Sequence, residues 1–231
     1  MIALDSLRIG GRELLPLIEG GKGISATNHR SSGAWAATGG IGTISAVNAD
    51  SYDENGLPIP QVYREKTRIH ANILWEMGGA QRVLHGVLER TRGLVHGVTC
   101  GAGMPYRLAE IAASYGVNYY PIISSARAFR ALWKRAYSKA AEWLGAVVYE
   151  DPWLAGGHNG LSNAEDPLKP QDPYPRVREL RAVMRESGIS DDVPIVMAGG
   201  VWYLRDWVEW IRNPELGAIA FQFGTRPLLT R

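Results

Sequence analysis

Apolar residues along this chain come in short runs, and most runs end in a glycine-bearing polar loop before a stretch with helical spacing begins. The first run, Leu14-Leu15-Pro16-Leu17-Ile18, breaks at Glu19-Gly20-Gly21-Lys22-Gly23 and reads as a buried strand leading into a tight loop. Ser31 to Thr38, rich in alanine, reads as a helix that Gly39-Gly40 stops. Ile41 to Val47 predicts a second strand, and Ile69 to Trp75 a third. Between them, from Asn48 to Thr67, acidic residues, Pro58 and Pro60 disfavour a helix, although about 20 residues without structure are uncommon in a compact domain.

Beyond that point the alternation is regular. Helices are expected over Ala80–Thr91 (apolar Val83, Val87 and Leu88 on one face), Arg107–Tyr115, Ala126–Lys139, Arg176–Ser187 and Tyr203–Arg212. Strands are expected over Leu94–Val98, Val117–Ile123, Ala146–Tyr149, Pro194–Met197 and Ala218–Phe223, with a proline-rich approach, Pro167 to Pro175, before the helix at Arg176. Eight apolar strands separated by helices predict an α/β fold, a (β/α)8 TIM barrel, as a single domain over 1–231. No G-x-G-x-x-G fingerprint follows the first strand. The missing helix after strand two and the end of the chain soon after strand eight lead us to expect a shortened barrel and a longer natural protein. A full-length transcript encoding only these residues would overturn that expectation.

Composition narrows the class. Hydrophobic content of 45% and charged content of 21% are those of a globular protein, and the formal net charge is only +2. Arg127, Arg130, Lys134 and Arg135 fall at helical spacing and read as a solvated face, so no nucleic-acid partner is expected. No run reaches the roughly 18 apolar residues of a membrane span, and no leader pattern opens the chain, so no membrane partner and a cytoplasmic location are expected. One cysteine, Cys100, excludes an intrachain disulfide and a cysteine metal cluster, and it reads as a buried structural thiol. Eight tryptophans predict large aromatic surfaces in the core or in a pocket.

In such a barrel the functional loops follow the C-terminal ends of the strands, with phosphate commonly held beyond strands seven and eight. Gly199-Gly200 and Gly224-Thr225 stand in those two places. Backbone N–H groups bared by glycine, together with the Thr225 hydroxyl, can hold a phosphate dianion without a lysine. Ala155-Gly156-Gly157-His158-Asn159-Gly160 places a histidine among glycines after strand six, where its imidazole can take or give a proton near neutral pH. His70 and His96 read as interior groups and His85 as a helix residue, whereas His29 could reach the active face. Ser124 and Ser125 either contact a ligand or cap the next helix. Glu76 and Glu150 end strands three and six near the same face.

Ala155-Gly156-Gly157-His158, Met197-Ala198-Gly199-Gly200-Val201 and Phe221-Gln222-Phe223-Gly224-Thr225-Arg226 occur with Glu19-Gly20-Gly21 and Gly39-Gly40-Ile41-Gly42-Thr43 upstream. As a set they resemble the nitronate monooxygenase family, formerly 2-nitropropane dioxygenases, from about Leu15 onward. The resemblance implies an FMN-binding barrel. Gly20 and Gly21 would lie along the flavin, and Asn72 would bond to it. Gly199, Gly200, Gly224 and Thr225 would grip its phosphate, with Gln222 beside them. Ser124 and Gly157 would join the cofactor contacts, and His158 would be the catalytic base. A nitronate or nitroalkane and O2 would be the small-molecule partners, giving a carbonyl compound and nitrite, and no metal is implied.

Three positions depart from the family's pattern: Glu19 where glutamine is usual, Phe223 where methionine is usual, and Leu154 where a glutamate usually precedes the Ala-Gly-Gly-His run. Asp151-Pro152-Trp153 reshapes the adjoining loop, which bears on substrate more than on cofactor. Two other readings stay open: an NAD(P)H-dependent flavin reductase acting on quinones or enoyl thioesters, and an inactive flavin-binding or interaction protein.

Overall fold

The computed structural model describes residues 4–23, 26–45, 69–156, 160–163 and 165–229. The segment expected to be irregular, Asn48–Thr67, lies outside the described residues. Among the described residues ten strands are formed: β1 (Leu7–Ile9), β2 (Arg12–Leu14), β3 (Leu17–Glu19), β4 (Gly42–Ser45), β5 (Ile69–Leu74), β6 (Gly97–Gly101), β7 (Asn118–Ile123), β8 (Val147–Glu150), β9 (Ile195–Ala198) and β10 (Ile219–Phe223). The last eight are parallel, in the order β3-β10-β9-β8-β7-β6-β5-β4. A parallel bridge between Ile18 and Ile41 closes the ring, with the Glu19 N–H donating to the Ile41 carbonyl at 2.8 Å. The fold is the expected (β/α)8 barrel.

Strand alternation sorts the side chains into two cores. Ile18, Tyr120, Ile122, Ala146, Val148, Val196, Ala198 and Ala220 fill the barrel interior. Ile73, Val98, Cys100, Tyr119, Tyr149, Met197 and Phe221 point outward, into the layer shared with the helices. Those helices are α1 (His29–Ala37), α2 (Ala80–Arg90), α3 (Leu108–Ser114), α4 (Ala126–Arg135) and α5 (Pro173–Glu186). Asn28 caps α1 in a capping box with Ser31, Ser125 caps α4, and Asp172 caps α5. Among the described residues no helix is long and apolar enough to cross a membrane.

The structure corrects the sequence reading in four places. Leu14 belongs not to the first barrel strand but to a hairpin, β1–β2, whose Gly10-Gly11 turn has positive φ at both residues. Ile9 and Leu14 of that hairpin pack against the barrel interior and plug its N-terminal end. The fourth barrel strand runs later than expected, because Asn72, Ile73 and Leu74 pair with Thr99, Cys100 and Gly101. Helix α4 stops at Arg135, where Tyr137 turns inward, fully buried, and donates to the Pro105 carbonyl at 2.9 Å. Tyr203–Arg212 is no α-helix but a kinked 3-10 segment, Leu204–Trp210, whose spacing sets Trp207 and Trp210 edge to face on one buried side.

Candidate functional site

At the C-terminal end of the barrel the strands open into a cleft of about 320 Å³, within the range of cofactor and small-molecule sites. Alternation explains its lining. Asn72, Leu74, Glu150, Ala198 and Gln222 occupy inward positions near the strand ends, and the loops that follow add Gly20, Gly21, Gly199, Gly200, Gly224 and Thr225. A small inner chamber beneath is bordered by Gly21, Asn72, Thr99, Ile122, Glu150 and Gln222.

Eight of the ten residues expected to contact the cofactor line this cleft: Gly20, Gly21, Asn72, Gly199, Gly200, Gln222, Gly224 and Thr225. Ser124 does not line it; its hydroxyl donates to the Gly160 carbonyl at 3.4 Å and its own carbonyl accepts from Arg176 at 2.9 Å. Gly157 and the expected base His158 lie outside the described residues. The structure adds Lys22, Ser45, Leu154, Trp202 and Arg226 to the lining. Each follows or ends a barrel strand, so the rule that function gathers there was the available signal.

The glycines fall into two kinds. A Cβ on Gly21 would sit 2.6 Å from the Asn72 side chain, so glycine there lets the first loop close onto β5. Gly199 and Gly200 hold φ of +99° and +71°, a backbone that glycine adopts without strain, and they pack under Ala155 and Leu154. At Gly23, Gly156 and Gly224 an added Cβ would meet no atom of the described residues within 4 Å beyond the chain neighbours, although all three line the cleft. Bare backbone that no neighbour demands is what a ligand's approach requires, and the residues present fit a phosphorylated planar cofactor.

Among the described residues the charged groups of the lining are Lys22, Glu150 and Arg226. Lys22 is mostly buried, donates to the Gly20 carbonyl at 3.0 Å and lies 3.7 Å from buried Glu19; burial lowers its pKa, and the attraction of Glu19 opposes that shift. Glu19 is the position where the resembled family usually has glutamine, and Lys22 supplies its counter-charge. Arg226 donates to the Trp202 carbonyl and stacks on Tyr203 at 4.1 Å, tying the loop after β9 to the loop after β10. Glu150 is the one carboxylate among the described residues of the lining.

The other candidates have structural roles. Cys100 is fully buried on the outer side of β6, and burial raises its thiol pKa, which removes it from nucleophilic chemistry. His70 bonds Thr99 at 3.2 Å, and His96 bonds the Gly10 carbonyl of the hairpin turn at 3.2 Å. His85 bonds the Tyr115 hydroxyl at 3.1 Å. His29 heads α1 and is not among the described residues lining the cleft. Arg127, Arg130, Lys134 and Arg135 are exposed, as a solvated helix face should be.

No family model matches this chain, and no curated protein matches it. Solved structures do. FabK from Thermotoga maritima is 21% identical with a TM-score of 0.62, over 91% of this chain and 58% of its own. Nitroalkane oxidase from Streptomyces ansochromogenes is 17% identical with a TM-score of 0.64, over 91% of this chain and 65% of its own. A mandelate oxidase variant carrying a monooxide FMN adduct is 14% identical with a TM-score of 0.60, over 99% of this chain and 72% of its own. This chain thus spans about three fifths of the FabK length. At these identities the likeness concerns the barrel.

Proposed function

We propose that this chain is an FMN-dependent oxidoreductase of the nitronate monooxygenase type. The observation that carries the reading is the cleft itself, where eight positions scattered from Gly20 to Thr225 meet at the C-terminal mouth of one barrel. Two of the barrels it resembles point the same way by name: one is a nitroalkane oxidase, and one holds an FMN adduct.

Gly199, Gly200, Gly224 and Thr225 would hold the phosphate through backbone N–H groups and the Thr225 hydroxyl, with Arg226 adding positive charge beside them. Asn72 and Gln222 carry amides that both donate and accept, so they can read the polar edge of a flavin ring from the barrel floor. FMN, when bound, supplies the electron transfer to dioxygen that no side chain performs. His158 keeps the role the resemblance implies, taking the α-proton of a nitroalkane or hydrogen-bonding the nitro oxygens of a nitronate. Leu154 and Trp202 give the cleft an apolar border suited to an alkyl chain.

The test is an absorbance spectrum of the purified protein, then anaerobic addition of a propane nitronate and, separately, of NADPH. Bleaching by the nitronate alone supports the reading and makes His158→Asn the next variant, with a fall in turnover of at least a hundredfold expected. Bleaching by NADPH alone moves the assignment to a flavin reductase. Protein that neither carries nor takes up flavin overturns the proposal.

A further inference from the structure

Arg176 stands where helix electrostatics disfavours it. It lies near the N-terminal end of α5, where the helix dipole is positive and the helix's own carboxylate, the Asp172 cap, is engaged by the Tyr174 N–H at 2.9 Å. Its side chain is only 16% exposed. Burying a guanidinium there is costly unless its N–H groups are satisfied, and every arm is spent. Nε donates to the Tyr149 hydroxyl at 2.8 Å, Nη2 to the Ser124 carbonyl at 2.9 Å, and Nη1 to the carboxylate of Glu165 and to Gln171. The face of the group lies 5.1 Å from the ring centre of Trp153. Burial opposes its charge, yet Glu165 and Tyr149 outweigh that and raise its pKa, while the Ser162 N–H and Arg176 hold the Glu165 carboxyl below the usual range against its own burial.

These partners have a pattern. Ser124 follows β7 and Tyr149 lies in β8, one residue before Glu150 of the cleft. Trp153 and Glu165 flank the two sides of the loop after β8. Among its described residues that loop holds no helix or strand before α5, and it contributes Leu154, Ala155 and Gly156 to the cleft. Its first flank is an Asx turn: the buried carboxylate of Asp151 accepts from the N–H groups of Trp153 at 3.0 Å and Leu154 at 2.9 Å. On its second flank the Glu165 carboxylate accepts from the Ser162 N–H. Leu154 and Ala155 in turn press on Gly200 and Gly199. One side chain therefore grips both flanks of the loop and the two strands beneath it, from outside the cleft.

We propose that Arg176 is a positioning residue for the cleft wall 151–156, acting through Trp153 and Glu165 without touching a ligand. The inference rests on the functional reading only for what the wall encloses. The wall's dependence on Arg176 holds whatever the ligand.

The experiment compares wild type with Arg176→Met, Arg176→Lys and Arg176→Ala by amide hydrogen exchange, FMN titration and thermal unfolding. In Arg176→Met the Trp153, Leu154 and Ser162 amides should exchange at least tenfold faster, while those of Val196 and Met197 in β9 stay unchanged. FMN should bind at least tenfold more weakly. Arg176→Lys should recover part of both effects, and millimolar guanidinium should restore FMN affinity to Arg176→Ala but not to Gly21→Ala. Unaltered exchange at residues 153, 154 and 162, or uniform acceleration across the barrel, overturns the positioning role. Should the Arg176 variants fail to fold, Trp153→Leu and Tyr149→Phe each remove one contact, and accelerated exchange confined to 151–165 is expected of both. A protein that binds no flavin defeats the proposed function, and exchange then decides the role of Arg176 by itself.

Discussion

Gly21 and Gly224 separate what a glycine does for the protein from what it does for a ligand. A methyl group on Gly21 would meet Asn72 at 2.6 Å, so Gly21→Ala must displace the Asn72 amide and should weaken both FMN binding and the fold. A methyl group on Gly224 meets no atom of the described residues within 4 Å beyond its chain neighbours, and no positive φ strains it. Gly224→Ala should therefore leave the thermal midpoint within about 1 °C of wild type, a surface-like change, and weaken FMN at least tenfold; isothermal titration and a melting curve check both arms. At the opposite end of the barrel, burial lowers the pKa of His70 well below its ordinary value and that of His96 to about 4. His96 is bordered by His70, Tyr120, Arg12 and the Gly10 carbonyl. Its folded pKa is depressed, so the unfolded chain binds more protons between pH 6.5 and about 4, and stability falls as pH drops through that window. Removing that dependence with His96→Gln should flatten the pH dependence of the unfolding free energy, measured by urea denaturation, by an amount on the order of 3 kcal/mol. Gly199-Gly200 and Gly224-Thr225 were legible as phosphate-binding candidates from position alone. The different demands on Gly21 and Gly224 were not, since they depend on Asn72 arriving from β5.

Helix α5 shows how an element is fixed by more than its apolar stripe. Val177, Leu180, Val183 and Met184 bury that stripe, and the spacing was readable. The same helix carries Arg181, fully buried, whose guanidinium donates to the carbonyls of Leu216 at 2.6 Å, Val193 at 3.1 Å and Ala218 at 3.0 Å. Burial lowers its pKa to about 10, with Asp191 opposing the shift, so it remains charged at neutral pH. It satisfies three carbonyls of the loops leading into β9 and β10, the strands that end in Gly199-Gly200 and Gly224-Thr225. Arg181→Leu should cost about 3 kcal/mol, since truncating one member of a buried polar network strands the others; chemical denaturation measures it. A charged residue within an apolar helix face gives no sequence cue to such a role. The hairpin β1–β2 was missed for a different reason. Its Gly10-Gly11 turn between Leu7-Arg8-Ile9 and Arg12-Glu13-Leu14 is a strong local signal, but the strands are short enough to be absorbed into the next apolar run.

For the molecule as a whole, the cleft exists only because the ring closes. Strands β3 and β4 meet through the single bridge Ile18–Ile41, while β5 and β6 pair over five residues. The loops of β3 bring Gly20, Gly21 and Lys22 to the site across that narrow seam. A ligand spanning the loops of β3, β9 and β10 thus binds the closed ring and not the open one, and linkage converts its affinity into stability. FMN at a hundred times its dissociation constant should raise stability by about 2.7 kcal/mol. Riboflavin at the same concentration should give a smaller shift in the melting midpoint, because it lacks the phosphate that the arrangement of Gly199, Gly200, Gly224 and Thr225 is proposed to hold. Equal shifts from the two compounds would contradict that arrangement.

The sequence by itself determined what is local: the alternation of the eight barrel strands with most of the helices between them, the serines that head α4, and the glycines at the strand ends. Those features depend on neighbours a few residues away, and periodicity and turn chemistry report them. Only the tertiary structure decided which side of each strand faces inward, because a shift of one residue in register exchanges the two faces. That choice put Asn72, Glu150 and Gln222 in the cleft, sent Cys100 and Tyr149 to the outer layer and turned Ser124 toward Gly160 and Arg176. It also set Arg176 against Trp153 and Glu165, contacts between separate segments that no local pattern records.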